Sequence, residues 1–188
     1  MTIKAGRPPR EVPPPPRAAP GAAAPHSAGR PLDRIDRIDR KIVTELQADA
    51  TISLALLADR VGLSQTPCWK RVQRLEQTGV LTGRVALADP HKLGLSLTAF
   101  VSITAPDHGV AWRDGFRETL KAFPEVVEVW RVAGDADYVL KVVATDMAAY
   151  DAFYQRLTAS LELRAVSSQF AMERVAYTTA LPVPPEPA

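Results

Sequence analysis

From Leu32 onward the apolar positions fall first into a helical and then into a strand-like rhythm. In LDRIDRIDRKIVTELQADA, Ile35, Ile38, Ile42 and Leu46 recur at spacings of three and four, and Val43 widens the stripe. That period predicts an amphipathic helix from about Ile35 to Asp49. The repeated DRID offers two registers for its first turn. In SLALLADRVG, Ser53 is a candidate N-cap, Leu54, Leu57 and Val61 face inward, and Gly62 ends a second helix. Ser64 is the next candidate N-cap, and a third helix runs to about Thr78 before Gly79. Pro67 is tolerated in its first turn, where N–H groups have no intrahelical partner. Two helices joined by VGLS form a helix-turn-helix pattern. VLTGRVALAD is read as a small hairpin, a wing, before Pro90.

After the connector PHKLGL the period shortens to two, or to short apolar runs. LTAFVSIT (97–104), VVEVWRV (126–132), DYVLKVVA (137–144) and VSSQFAMERVAYT (166–178) read as strands. Two helices interrupt them. One, 110–123, carries Trp112, Phe116, Leu120 and Phe123 on one face, and the other, 146–161, is capped by Asp146. The order β-α-β-β-α-β is the ferredoxin-like split motif. The fold class is therefore α+β: an N-terminal winged helix-turn-helix over 32–93 and a ferredoxin-like domain over 94–181. Residues 182–188, PVPPEPA, read as a disordered tail.

Composition changes this picture mainly at the N-terminus. Residues 1–31 are rich in Pro, Ala and Arg and have almost no bulky apolar side chain. They read as a disordered arm, too poor in apolar surface to offset the entropy of ordering. The arm is either a basic tail touching DNA phosphates or an inert extension, including one created by a start placed too far upstream. The chain's net charge of +2 is uneven: residues 1–31 carry +4, residues 32–84 carry +2 and residues 85–188 carry −4. A basic front half suits a polyanionic partner. One cysteine excludes an intrachain disulfide and a cysteine-rich zinc site. No apolar run reaches transmembrane length and no signal-peptide pattern opens the chain, so a soluble, cytoplasmic protein is expected.

The third helix carries the most chemistry. On a wheel of about 100° per residue, Cys68, Val72 and Leu75 fall on one narrow stripe. Thr66, Lys70, Gln73 and Arg74 fall opposite, with Gln65 and Arg71 on the flanks and Trp69 at the edge. A major groove admits such a helix: Gln and Thr bond to base edges, and Lys and Arg reach phosphates or guanine. The plain alternative is a solvated basic face. Cys68 is placed as a small buried hydrophobe rather than a nucleophile, since Lys70 and Arg71 point away from it and a reactive thiolate needs exposure and a nearby cation. His26, His91 and His108 show no metal-ligand spacing. Gly134–Asp137, in VAGDADYVLKV, turns between two strands and offers N–H groups and carboxylates to a zwitterion, or is a simple hairpin turn. No cofactor, metal or catalytic constellation is expected. The rival readings are an amino-acid-binding enzyme domain and a thiol redox sensor using Cys68.

LDRIDRKIVTELQADATISLALLADRVGLSQTPCWKRVQRLEQTGVLTG resembles the DNA-binding half of the Lrp/AsnC regulators, and AGDADYVLKVVATDMAAYDAFY resembles the core of their effector-binding half. The resemblance spans about 32–181. TPCWKR, GLSLTAFV and SSQFAMERVAYTTALP are similar to the family's cysteine-detoxification activator branch. The family implies double-stranded DNA as partner, and the phase of the third helix puts Gln65, Thr66, Lys70 and Arg74 foremost at it, with Arg71 and Trp69 behind them. The resemblance implies sheet-mediated homodimers assembling into rings such as octamers, and a small amino-acid effector, L-cysteine by branch. The effector residues it implies are Gly134, Asp135, Asp137, Tyr138, Met147, Gln169, Phe170 and Ala171. Ala136 departs from the aromatic residue common in that turn, and Arg131 stands where an aliphatic residue can occur.

Overall fold

A computed structural model describes residues 35–185, so the expected arm at 1–31 and the last three residues lie outside it. The described chain divides into two compact units, one taking in α1 up to Glu45 with Ile52–Leu81, the other taking in Thr82–Pro182.

Three helices build the first unit: α1 (Arg37–Ala48), α2 (Leu54–Val61) and α3 (Gln65–Gln77). The start of α1 decides between the two DRID registers. Asp36 Oδ1 accepts the Asp39 N–H at 2.9 Å, and Asp39 Oδ2 accepts the Asp36 N–H at 3.0 Å. The Arg40 N–H closes the first turn on the Asp36 carbonyl. This reciprocal pair is a capping box with Asp at both ends, so Asp36 is the N-cap. Ser53 Oγ caps α2 by accepting the Leu56 N–H at 3.2 Å. Gly62 ends α2 at φ 75°, and the Leu63 N–H bonds back to the Ala58 carbonyl. A left-handed residue is needed there to reverse the chain within three residues, and glycine adopts it without a Cβ penalty. Ser64 precedes α3, although its side chain makes no capping hydrogen bond. Ile42, Leu57, Ala58, Val61, Cys68, Val72 and Leu75 are buried, which are the inward positions the 3.6-residue period selects.

The second unit is a four-stranded antiparallel sheet with α4 (Val110–Leu120) and α5 (Met147–Ser160). Its strands are β1 (Leu97–Thr104), β2 (Val126–Arg131), β3 (Tyr138–Ala144) and β4 (Ala165–Phe170), in the order β2-β3-β1-β4. Chain order and sheet order together are those of the ferredoxin-like split motif. Alternation puts Ala99, Val101 and Ile103 of β1 and Leu140, Val142 and Ala144 of β3 into one core. Phe116 and Leu120 of α4, Phe123, and Tyr150, Phe153 and Leu157 of α5 complete it. Trp112 stacks on Phe116 at 4.9 Å, and its indole N–H donates to the Glu162 carbonyl at 3.0 Å.

Two expected elements differ. The wing is absent: residues 82–89 form no strand, and Val85 and Leu87 are 79% and 65% exposed. A hairpin needs two runs facing each other across a short turn, and this segment supplies only one apolar alternation. The last strand stops at Phe170 instead of Thr178. Phe170 pairs with Ala99 and the Ala171 N–H reaches the Thr98 carbonyl, so β1 offers no further partner beyond Leu97. From Met172 onward no helix or strand forms among the described residues. The Pro184 carbonyl nevertheless accepts from the Arg40 guanidinium, so this part of the expected disordered tail has a defined contact.

Candidate functional site

The outward face of α3 is a candidate nucleic-acid interface. Gln65, Thr66, Pro67, Trp69 and Lys70 are exposed, and Trp69 is 51% so. Cys68, Val72 and Leu75 anchor the opposite stripe at 0, 5 and 1% exposure. Burial pushes the Cys68 thiol up, away from the thiolate that a redox sensor needs.

Arg71 and Arg74 are placed differently from the expectation of a free basic face. Arg71 Nη1 donates to Asp36 Oδ2 at 2.6 Å and to Asp39 Oδ1 at 2.8 Å. Arg74 Nη2 donates to Asp39 Oδ2. Asp39 is fully buried, the one charged side chain so placed among the described residues. Burial alone would raise the Asp36 carboxyl, but hydrogen bonds from the Asp39 N–H and Arg71 outweigh it and hold the carboxyl below its ordinary 3.8. The hydrogen bonds that Arg71 donates to Asp36 and Asp39 in turn hold its guanidinium charged. These two carboxylates were not singled out from the sequence. Their signal was present in it: Asp36 and Asp39 stand three apart at a helix start, as do Arg71 and Arg74 in α3.

The eight expected effector residues do not converge within one chain. Gly134, Asp135, Asp137 and Tyr138 lie at the β2–β3 turn, where Tyr138 pairs with Ile103. Met147 follows the far end of β3, where Ala144 pairs with Leu97, and Phe170 pairs with Ala99 near that same end. Six residues of extended chain separate the groups, about 20 Å. Met147 and Phe170 are 54% and 41% exposed, and Gln169 and Ala171 are also exposed. Phe170 meets Tyr150 edge-on at 4.9 Å, and the Tyr150 hydroxyl hydrogen-bonds with Ser168.

In the turn, Gly134 takes φ 144°, a conformation that disfavours any side chain although a Cβ there would meet nothing within 4 Å. Asp137 is engaged by its own chain. Its Oδ2 accepts the Ala105 N–H at 2.9 Å, its N–H donates to the Ile103 carbonyl, and its carbonyl accepts from the Val132 N–H. Its other oxygen lies 3.6 Å from His108 Nδ1.

The sheet face away from the helices is open. Gln169, Phe100, Lys141 and Glu128 form one cross-strand row, and Ser167, Ser102, Val139 and Trp130 the next. Trp130 is 61% exposed, and Glu128 accepts from its indole N–H and from Lys141 Nζ. Among the described residues no group of His, Cys, Asp or Glu is placed to hold a metal, and no helix is long and apolar enough to cross a membrane.

Comparison with known proteins accounts for both units. Residues 35–76 match the AsnC-type helix-turn-helix domain, and residues 98–181 the Lrp/AsnC ligand binding domain. The DNA-binding transcriptional activator DecR of Escherichia coli (strain K12) is 50% identical over 150 residues, 79% of this chain and 99% of that protein. An AsnC family transcriptional regulator from Agrobacterium tumefaciens superposes with a TM-score of 0.75 at 54% identity, over 78% of this chain and 96% of its own. A transcriptional regulator from Neisseria meningitidis, solved as an L-Met complex, superposes at 0.74 with 30% identity, over 79% and 97%. An AsnC-type DNA-binding domain joined to an amino-acid-binding domain makes a regulator rather than an enzyme, and the chain belongs to the Lrp/AsnC family of transcriptional regulators.

Proposed function

We propose that α3 enters the major groove of double-stranded DNA and reads it from Gln65, Thr66, Trp69 and Lys70, with Arg71 and Arg74 at the phosphates. The carrying observation is the division of α3 into an anchored stripe, Cys68, Val72 and Leu75, and an exposed polar face. Such a helix presents base-reading amides and hydroxyls at its first turns, where recognition helices approach base edges. Two copies pair through the open sheet face that carries Phe100 and Trp130, and such dimers assemble into rings, an octamer by family resemblance. The pairing places two α3 helices on a pseudo-palindromic site. A small amino acid sets the assembly or DNA affinity of a regulator of amino-acid metabolism acting in the cytoplasm.

L-cysteine is the proposed effector. The 50% identity to DecR supports the branch assignment, and the L-Met complex of the Neisseria relative supports a sulfur-containing amino acid. Anisotropy titration of labelled duplex across a salt series tests the DNA reading. Binding that does not weaken with salt would count against it. A thermal-shift screen of the twenty amino acids, read beside solution mass, tests the effector. A protein stabilised by none of them, or by an unrelated one only, would remove L-cysteine from this role.

A further inference from the structure

The cations of α3 are oriented by residues that α3 does not contain. Asp39, in α1, is fully buried. Its Oδ1 meets Arg71 and its Oδ2 meets Arg74, while Asp36 holds Arg71 from a second side. A buried carboxylate is tolerated only when it is paired and hydrogen-bonded. Here the pairing is also a geometric constraint, because the Asp36–Asp39 capping box fixes both acids to the first turn of α1.

A guanidinium has five N–H donors in a rigid fork. The acids engage only Arg71 Nη1 and Arg74 Nη2, and the two side chains remain 28% and 46% exposed. Together with Lys70, Pro67 and Asp36 they line a cleft of about 350 Å³ on the α3 surface. Three cations face two acids there, leaving one net positive charge and several outward N–H groups. A singly charged tetrahedral oxyanion matches both.

We propose that this cleft seats one backbone phosphate beside the groove that α3 enters, and that Asp39, assisted by Asp36, is the positioning residue that aims Arg71 and Arg74 at it. The proposal rests on the DNA-binding reading above. It assigns Asp39 a part in specificity although Asp39 itself touches no DNA. A phosphate seated at a fixed point sets the register of α3 over the bases.

The test uses the full chain, a duplex selected by the protein from a randomised pool, and a mixed-sequence duplex as the non-specific probe. Asp39→Asn keeps the shape and removes the charge that orients the guanidiniums. Its affinity for the selected duplex should fall about tenfold relative to the mixed-sequence duplex. The slope of log K against log salt should steepen by about one, because a cation no longer neutralised within the protein becomes available to the polyanion. Loss of folded protein alone would lower both affinities together and leave ratio and slope unchanged. Lys70→Ala, which removes a cation from the same face, should instead make the slope shallower by about one, opposite in sign to Asp39→Asn.

A folded Asp39→Asn protein with wild-type ratio and slope overturns the proposal. If Asp39→Asn gives no cooperative melt, Asp36→Asn, which removes the more exposed acid, is read by the same criterion, and an unchanged ratio and slope there overturns it equally. A wild-type protein without salt-dependent duplex binding would instead refute the DNA reading on which the proposal stands.

Discussion

Asp137→Ala separates two roles for one carboxylate, ligand of an effector or clamp on its own chain. The Asp137 Oδ2 oxygen accepts the Ala105 N–H at 2.9 Å, and Ala105 is 4% exposed. Removing the oxygen leaves a buried donor unpaired, which costs about 1–3 kcal/mol. The main-chain bonds to Ile103 and Val132 survive, so the turn itself persists and the loss falls on the end of β1. The His108 imidazole, 76% exposed, adds too little to alter the outcome. A loss of about 2 kcal/mol lowers Tm by roughly 4–8 °C in a chain of this size. Asp137→Asn retains an oxygen acceptor at the same place and should recover most of that loss. Urea and thermal melts of wild type, Asp137→Ala and Asp137→Asn measure it, alongside DNA affinity with and without amino acid. If Asp137→Ala melts like wild type and loses only the amino-acid response, the clamp argument is wrong and the carboxylate is a ligand.

Other expectations test other parts of the molecule. Cys68 is buried with its thiol pushed up, so a thiol reagent should modify the native protein only at the rate of unfolding; fast stoichiometric labelling at neutral pH would revive a redox role. Asp36 has a folded-state pKa below its ordinary 3.8. Its contribution is therefore fully present above 3.8 and is lost as pH falls through the lower folded value. Melts between pH 6 and about 2.5 should show that loss in wild type and a smaller one in Asp36→Asn, and parallel curves would refute the assignment. Glu128 is lowered by its hydrogen bond to Lys141 against the opposing effect of burial, so the open sheet face weakens with acid in the same direction. Trp130→Asp puts a charge on that face and should shift solution mass toward monomer by light scattering. An unchanged mass would move the dimer contact elsewhere.

The periodic parts of the fold were legible because burial alone decides them. Spacings of three and four selected Ile42, Leu57, Val61, Val72 and Leu75 for the interior, and alternation selected Val101, Ile103, Leu140 and Val142. The ends of elements were less legible, because they depend on partners. Val175 and Tyr177 alternate in their turn, out of phase with Val166 and Phe170, and β1 has no residue left to pair with them. Residues 82–89 look strand-like for the same reason and find no second run. Charge was least legible of all. A helical wheel puts Arg71 and Arg74 on or beside a solvated face, and nothing in α3 says that the matching acids lie more than thirty residues away in α1. The capping box was readable in principle from the Asp36–Asp39 spacing, but the doubled DRID hid which copy forms it. For the effector residues the sequence gives neighbours along the chain and not distances across a sheet. Family resemblance therefore grouped Tyr138 with Met147, which the register puts at opposite ends of β3.

That separation has a consequence for the proposed regulation. An amino acid is a few ångström long, and it does not span the roughly 20 Å of β3 between the Gly134 turn and the Met147–Phe170 end. If both groups contact one effector, the turn of one copy must meet the α5–β4 end of another. The ligand would then bind only an assembled form, stabilising that form by RT ln(1 + [L]/Kd) over the unassembled chains. Reciprocity follows: whatever promotes assembly must tighten the effector by the same factor. Titrations of L-cysteine at protein concentrations above and below the assembly midpoint should give apparent affinities that rise with protein concentration, and mass should rise with effector. An affinity independent of protein concentration would mean that one end of the sheet binds alone, and the residues at the other end would have no part in the site.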